Sequence, residues 1–149
     1  MIDCMADPIR KVQVIPYRKR PGLEILMLKT IPRRGGFWQC VTGKVEPSED
    51  LKTAALRELA EETGITSSNL GGISDPIYSF VYEKNGKRFK ETVFAVEVTG
   101  DPVVDLEHNV YPEHVKHEWV SPEDALLRSR FNSQKNSIEV FLKSLKDNQ

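Results

Sequence analysis

At 149 residues, 39% hydrophobic and 29% charged, the chain is long enough for one domain with an ordinary core and leaves no room for a second. Its 21 basic and 22 acidic residues give a formal net charge of −1, which excludes a global field drawing it onto nucleic acid or an anionic membrane, so any phosphate recognition has to be local. The opening MIDCMADPIRKVQ lacks the apolar run of a signal peptide, and no later stretch approaches the roughly 20 apolar residues of a membrane span, so a cytoplasmic protein is expected.

Val12 to Tyr17 and Leu23 to Leu28 read as short strands across the turn-prone Arg18-Lys19-Arg20-Pro21-Gly22, an opening hairpin. Gly35-Gly36 breaks the chain before a third strand-like run, Phe37 to Thr42, which ends at Gly43. Within it Cys40 reads as core filling rather than a nucleophile, since a buried cysteine behaves as a small hydrophobe. Cys4 and Cys40 form no CxxC pair, which fits two free thiols in a reducing compartment. Glu49 to Thr63 holds good helix formers without Gly or Pro, preceded by Pro47-Ser48 and stopped by Gly64 as a C-terminal cap. Ile77 to Tyr82 and Arg88 to Val98 flank Lys84-Asn85-Gly86-Lys87, where Asn-Gly signals a second hairpin. Gly100 to Pro112 reads as a loop, His117 to Val120 as a strand and Ser121-Pro122-Glu123 as a helix start. A last helix is expected from Ser133 to about Lys146, with Ile138, Phe141, Leu142 and Leu145 at helical spacing. Interleaved strands and helices of this kind predict a sheet covered on both faces.

The chemistry concentrates on the helix at 49–63. At 100° per residue Glu58, Glu61 and Glu62 fall within one arc of roughly 100°, while Ala55, Leu56 and Leu59 occupy another. Like charges at i,i+3 and i,i+4 cost a few tenths of a kcal/mol per pair, so the cluster is mildly unfavourable unless a cation neutralises it. Mg²⁺ takes hard oxygen ligands, uses few protein carboxylates and fills its other positions with water and phosphate, which suits three helical glutamates. Taken alone, such a run is better explained by a solvated helix face.

The flanking residues decide. Residues 43 to 65, GKVEPSEDLKTAALRELAEETGI, match G-x5-E-x7-R-E-U-x-E-E-x-G-U, with U bulky and apolar, at Gly43, Glu49, Arg57, Glu58, Leu59, Glu61, Glu62, Gly64 and Ile65. If each fixed identity occurs about once in fifteen residues, a chance match at a given start is on the order of 10⁻⁸. On these residues the chain resembles the Nudix hydrolases, with residues 1–149 as a single Nudix hydrolase domain and its box at 43–65. The resemblance implies an α/β fold, an α/β/α sandwich with a mixed central β-sheet. It also implies hydrolysis of a diphosphate linkage by metal-activated water, with Mg²⁺ or its substitute Mn²⁺ as cofactor. Metal contacts are implied at Glu58 and Glu62, with Glu61 nearby, another carboxylate at Glu113 and the Gly43 carbonyl. Arg57 is implied to ion-pair within the box and orient a glutamate. Glu58, Glu61 and Glu113 stay open as the general base. No Ser-His-Asp or Cys-His arrangement is evident, which argues against a covalent intermediate.

Two further stretches are similar to the bacterial dihydroneopterin triphosphate pyrophosphohydrolases, also described as acting on dATP: Phe37-Trp38-Gln39 with Val41-Thr42-Gly43, and Glu113-His114 followed by Trp119. They imply a nucleotide-like triphosphate as substrate, dihydroneopterin triphosphate or a dNTP. Trp38 is a candidate for stacking on a base or pterin and equally a candidate for the core; Gln39 accompanies it. Arg10, Lys11 and Lys44 are candidates for phosphate contact. His108, His114 and His117 show no metal-ligand pattern, and His114 and His117 read as structural. The alternatives are a dinucleoside polyphosphate hydrolase, from Tyr82 seventeen residues past Ile65, and a non-catalytic nucleotide-binding module, against which the full acidic set argues. Pro76 stands too near the box to match the proline of ADP-ribose hydrolases. A monomer or homodimer is expected, with neither nucleic acid nor membrane as partner.

Overall fold

A computed structural model describes residues 6–148, so Cys4 and the assignment of a free thiol there lie outside the described residues. The opening hairpin is longer than its apolar core: β1 spans Ile9–Lys19 and β2 spans Leu23–Thr30, paired antiparallel with Tyr17 opposite Ile25. Their charged ends extend the strands because backbone pairing continues past the buried residues.

The run expected as one strand from Phe37 to Thr42 divides at Cys40. β3 (Trp38–Gln39) pairs with β2, placing Gln39 opposite Leu28, whereas β4 (Val41–Lys44) pairs with β1, placing Gly43 opposite Val12. The chain therefore crosses from one neighbour to the other in a single residue. Helix α1 runs Leu51–Thr63, beginning at Leu51 rather than Glu49 because the Asp50 side chain accepts the Thr53 N–H at 2.8 Å and caps it. Gly64 closes it in the left-handed region at φ 78°, its N–H donating to the Ala60 carbonyl.

β5 (Leu70–Ile73) was not expected, since its Leu-Gly-Gly-Ile carries little strand propensity; it adds to the edge of the sheet. β6 (Tyr78–Lys84) and β7 (Lys87–Val98) form the second hairpin around Asn85-Gly86. β8 (His114–Val120) starts three residues before the expected strand and pairs with β2. Two helices follow, α2 (Pro122–Arg128) and α3 (Asn132–Asp147).

Among the described residues the eight strands form one sheet. β1 and β7 run parallel, from Ile9 opposite Phe89 to Tyr17 opposite Glu97, and the remaining pairings are antiparallel, which makes the sheet mixed. Alternation along the strands sorts side chains to two cores. Val12, Val14, Leu26, Leu28, Phe94 and Val96 pack with Ala54, Ala55 and Leu59 of α1. Ile15, Ile25, Met27, Val93 and Ala95 pack on the other side with Ala125 of α2 and Ile138 and Phe141 of α3. Helices thus cover both faces, an α/β/α sandwich. Cys40 belongs to the second core, 1% exposed, and burial pushes its thiol up to about 12.

Candidate active site

Gly43 and Glu58 meet where β4 passes under α1. A Cβ at position 43 would overlap the Glu58 carboxyl group, so the absent side chain of Gly43 is the space that carboxyl fills. Glu58 is 8% exposed, and burial raises its carboxyl to about 7 even though Arg57 pulls in the opposite direction; Glu61 and Glu62 add to the rise. Burial thus favours its neutral form, and further positive charge beside it would favour the carboxylate.

Arg57 is a hub. Its Nε and Nη2 donate to Glu49 Oε2 at 2.8 Å and Oε1 at 2.9 Å, a bidentate pair, while Nη2 also reaches the Lys44 carbonyl at 2.9 Å. Nη1 donates to Glu58 Oε1 at 3.0 Å and to Glu61 at 3.2 Å. One guanidinium therefore ties α1 to the loop before it and to β4, and fixes two of the three acidic side chains. The Arg57 pair and the Glu46 N–H hold the Glu49 carboxyl at about 2, far below the usual range.

Glu62, one turn further along the same face, has other partners. It is 3% exposed, accepting from Asn109 Nδ2 at 2.9 Å and from His114 Nδ1 at 3.0 Å. With the Gln39 amide N–H donating to His114 Nε2 at 3.0 Å, the ring carries its proton on Nδ1 and gives it to Glu62 Oε2. His114 therefore orients an acidic side chain from β8, a role beyond the structural one expected from its sequence position.

Lys11, Thr42, Gly43, Lys44, Glu58, Glu61, Glu62 and Glu113 line one cleft of about 400 Å³, together with Arg34, Asn109 and Tyr111. Glu113 reaches it from the loop before β8, paired with Arg34 Nη1 at 2.6 Å, while its backbone carbonyl accepts from the Ile31 N–H. Oxygen donors suited to a hard divalent cation thus face a single space. Among the described residues no three His, Cys, Asp or Glu side chains already converge on one point, because Glu58 is turned to Arg57 and Glu62 to His114 and Asn109. The donor set fits a cation in kind, and coordination requires side-chain rotation within the cleft.

A second pocket, of about 450 Å³, adjoins the first and shares Lys11 and Thr42 with it. Its walls include Phe37, Phe80, Tyr82 and Phe131, and its polar lining includes Gln13, Gln39 and Glu91. Lys11 stands between the two, 3.9 Å from Glu91 Oε1 and 5.9 Å from the Phe89 ring centre.

Two of the residues expected at the substrate lie elsewhere. Trp38 lines neither space: the Arg128 guanidinium covers its ring at 4.7 Å and its carbonyl accepts from Gln134, a core position facing α2 and α3. Arg10 is exposed and donates to the Glu49 carbonyl at 3.3 Å, outside both spaces. Gln13, Arg34, Glu91 and Asn109 were not anticipated. Strand pairing and loop closure bring them in, and no local motif marks them.

A family model described as NUDIX domain matches residues 8–141. A Myxococcus xanthus protein named octanoyltransferase is 32% identical over 140 residues, 89% of this chain; the chain spans only 36% of that protein's length. Dihydroneopterin triphosphate diphosphatase of Haemophilus influenzae is 30% identical over 148 residues, 92% of this chain and 89% of that one. Among solved structures, a C. elegans Ap4A hydrolase in a binary complex superposes with a TM-score of 0.81 at 28% identity, covering 93% of this chain and 98% of that one.

Proposed function

The chain belongs to the Nudix family of hydrolases acting on pyrophosphate bonds, and on that premise we propose that it cleaves the phosphate chain of a purine- or pterin-bearing triphosphate, dihydroneopterin triphosphate or a dNTP, with Mg²⁺. What supports this is the junction of the two spaces at Lys11 and Thr42. A flat ring in the aromatic pocket leaves its phosphate chain over the carboxylates of α1, and Lys11 meets it at the crossing.

Glu58, Glu61, Glu62 and Glu113, with the Gly43 carbonyl, would hold the cation. Bound there, a divalent cation offsets phosphate charge and lowers the pKa of water. Arg57 holds Glu58 and Glu61 at the wall of the cleft, His114 and Asn109 hold Glu62 there, and each would turn from these partners to reach the cation, while Lys11 and Lys44 supply positive charge to phosphate oxygens. A cleft carboxylate takes the proton of the attacking water; Glu58, Glu61 and Glu113 each line the space, and their separate Gln variants assign the role through the pH–rate profile. Among the described residues no helix is long and apolar enough to cross a membrane.

A second reading, hydrolysis of a dinucleoside tetraphosphate, draws on Tyr82, which lines the aromatic pocket and stacks on Phe89 at 5.2 Å. The C. elegans likeness points the same way. A panel of dihydroneopterin triphosphate, the dNTPs, diadenosine tetraphosphate and ADP-ribose, compared by kcat/KM, separates the two. The triphosphates are expected to lead. An advantage of about tenfold for diadenosine tetraphosphate or ADP-ribose would overturn the assignment.

A further inference from the structure

The floor of the aromatic pocket holds a buried carboxylate that the hydrolytic machinery does not use. Glu91, on β7, is 5% exposed, and the pairing of β7 with β1 and β6 sets it directly opposite Lys11 on one side and Phe80 on the other. Gln13 Nε2–H donates to its Oε2 at 2.8 Å, and Tyr82 O–H lies at 3.4 Å from its Oε1, a long and weak contact. Gln13 is itself 3% exposed, with its amide oxygen buried and unpartnered. Carboxylates are seldom buried this deeply without full compensation.

Around Glu91 the glutamine side chains of the lining present acceptors. The amide nitrogens of Gln13, Gln39 and Gln134 are each directed within the protein, to Glu91, His114 and the Trp38 carbonyl. Beside Glu91, what Gln13 leaves for a ligand is oxygen, its own unpartnered amide Oε1 and the carboxylate, although the lining elsewhere also carries Lys11, Lys84, Thr42 and Ser133. A flat ring entering this pocket is therefore matched best by an edge that carries donors.

We propose that Glu91 selects the heterocycle: its carboxylate accepts the two adjacent N–H donors of a 2-amino-4-oxopyrimidine edge, shared by guanine and pterins, and disfavours adenine. At the same two ring positions adenine offers a ring-nitrogen lone pair and a C–H, so it supplies no donor and the lone pair would face the carboxylate. Burial raises the Glu91 carboxyl above its ordinary range, and Gln13 and Lys11 pull it only part of the way back. A bidentate donor edge supplies the missing compensation. This specificity rests on the hydrolase reading above and narrows it.

The test compares dGTP, dITP and dATP, which share sugar and phosphates and present two, one and no donors at the ring positions that Glu91 would read. In the parent protein kcat/KM is expected to fall in that order, by at least about tenfold from first to last, since a hydrogen bond to a charged group is involved. In Glu91→Gln the spread should collapse to about threefold or less, through loss on the dGTP side. A parent that treats dGTP and dATP within about threefold, or a variant that keeps the parent's spread, overturns the proposal while leaving the hydrolase intact. If none of the triphosphates is turned over, the triphosphate reading fails, and calorimetry with guanosine, neopterin and adenosine on the parent decides the pocket: tighter guanosine and neopterin support Glu91, and equal or undetectable binding of the three rejects it. The parent measurements decide alone should circular dichroism show the variant unfolded.

Discussion

Two residues show how closely the site is built. At position 43 the group in the way of a side chain is the end of Glu58, and although overpacking against fixed atoms costs about 1–3 kcal/mol, a carboxyl can swing aside. Gly43→Ala should therefore fold with a small loss in Tm while kcat falls by about 100-fold, because Glu58 is displaced by about an ångström or more. Turnover near the parent's would remove Glu58 from the chemistry. At Glu62, both carboxylate oxygens accept, from Asn109 and His114. Gln offers one acceptor and one donor, and Asn109 cannot simply flip, since its Oδ1 already takes the Tyr111 N–H at 3.0 Å. Glu62→Gln is expected to lose about 1 kcal/mol in denaturant unfolding. Its turnover should drop by orders of magnitude; a value within twofold of the parent would withdraw α1 as the catalytic element. The box residues were legible because they occupy fixed offsets within one short stretch, residues 43 to 65, built around α1. Glu91 and Gln13 were not, since they lie 78 positions apart in the chain and meet only through the parallel pairing of β1 and β7.

Elements were legible where a cap or turn residue acts locally. Gly64 ends α1 and Asn85-Gly86 closes a hairpin through their own backbone preferences. β5 escaped notice because its Gly-Gly centre is held by the neighbouring strand, and the division of β3 from β4 is a choice of partner that no single stretch encodes. The loop between β7 and β8 is the element on which function leans most. It was read as irregular, yet it delivers Asn109 to Glu62, and Glu113 follows at its end to face the same cleft. Arg34 pairs with Glu113 at 2.6 Å, but both side chains are about half exposed, where an ion pair contributes little. Glu113→Gln is accordingly expected to change stability by no more than about 0.5 kcal/mol while lowering kcat or weakening metal binding. If Glu113 is the base, the loss persists at saturating Mg²⁺ and the acidic limb of the pH–rate profile changes; if it is only a ligand, added Mg²⁺ restores much of the rate. An unchanged kcat with unchanged Mg²⁺ dependence would take it out of the site.

For the whole molecule, the carboxylate cluster couples metal, pH and folding. Glu58 sits at about 7 in the folded chain against an ordinary 4.5, so the stability linked to it is present in full below about 4.5 and is lost as the pH rises through 7. Glu91 is shifted upward as well, by burial, and acts in the same direction. Glu49 is shifted the opposite way, to about 2, so its contribution is complete above the ordinary carboxylate range and falls away only in acid; it leaves the interval from pH 5 to 8 untouched. Across that interval the cation-free protein should therefore lose stability from these buried acids. A divalent cation binds the charged form of the cluster and the folded state only, so it stabilises most where Glu58 would otherwise be charged and uncompensated. Thermal unfolding with and without 10 mM Mg²⁺, a level of order that expected for such sites, should show a larger rise in Tm at pH 8 than at pH 5. Excess EDTA should cancel the rise and abolish turnover while the fold persists. A rise of equal size at both pH values would place the cation away from the buried glutamates, and full turnover in EDTA would end the metal-dependent reading of the acidic helix.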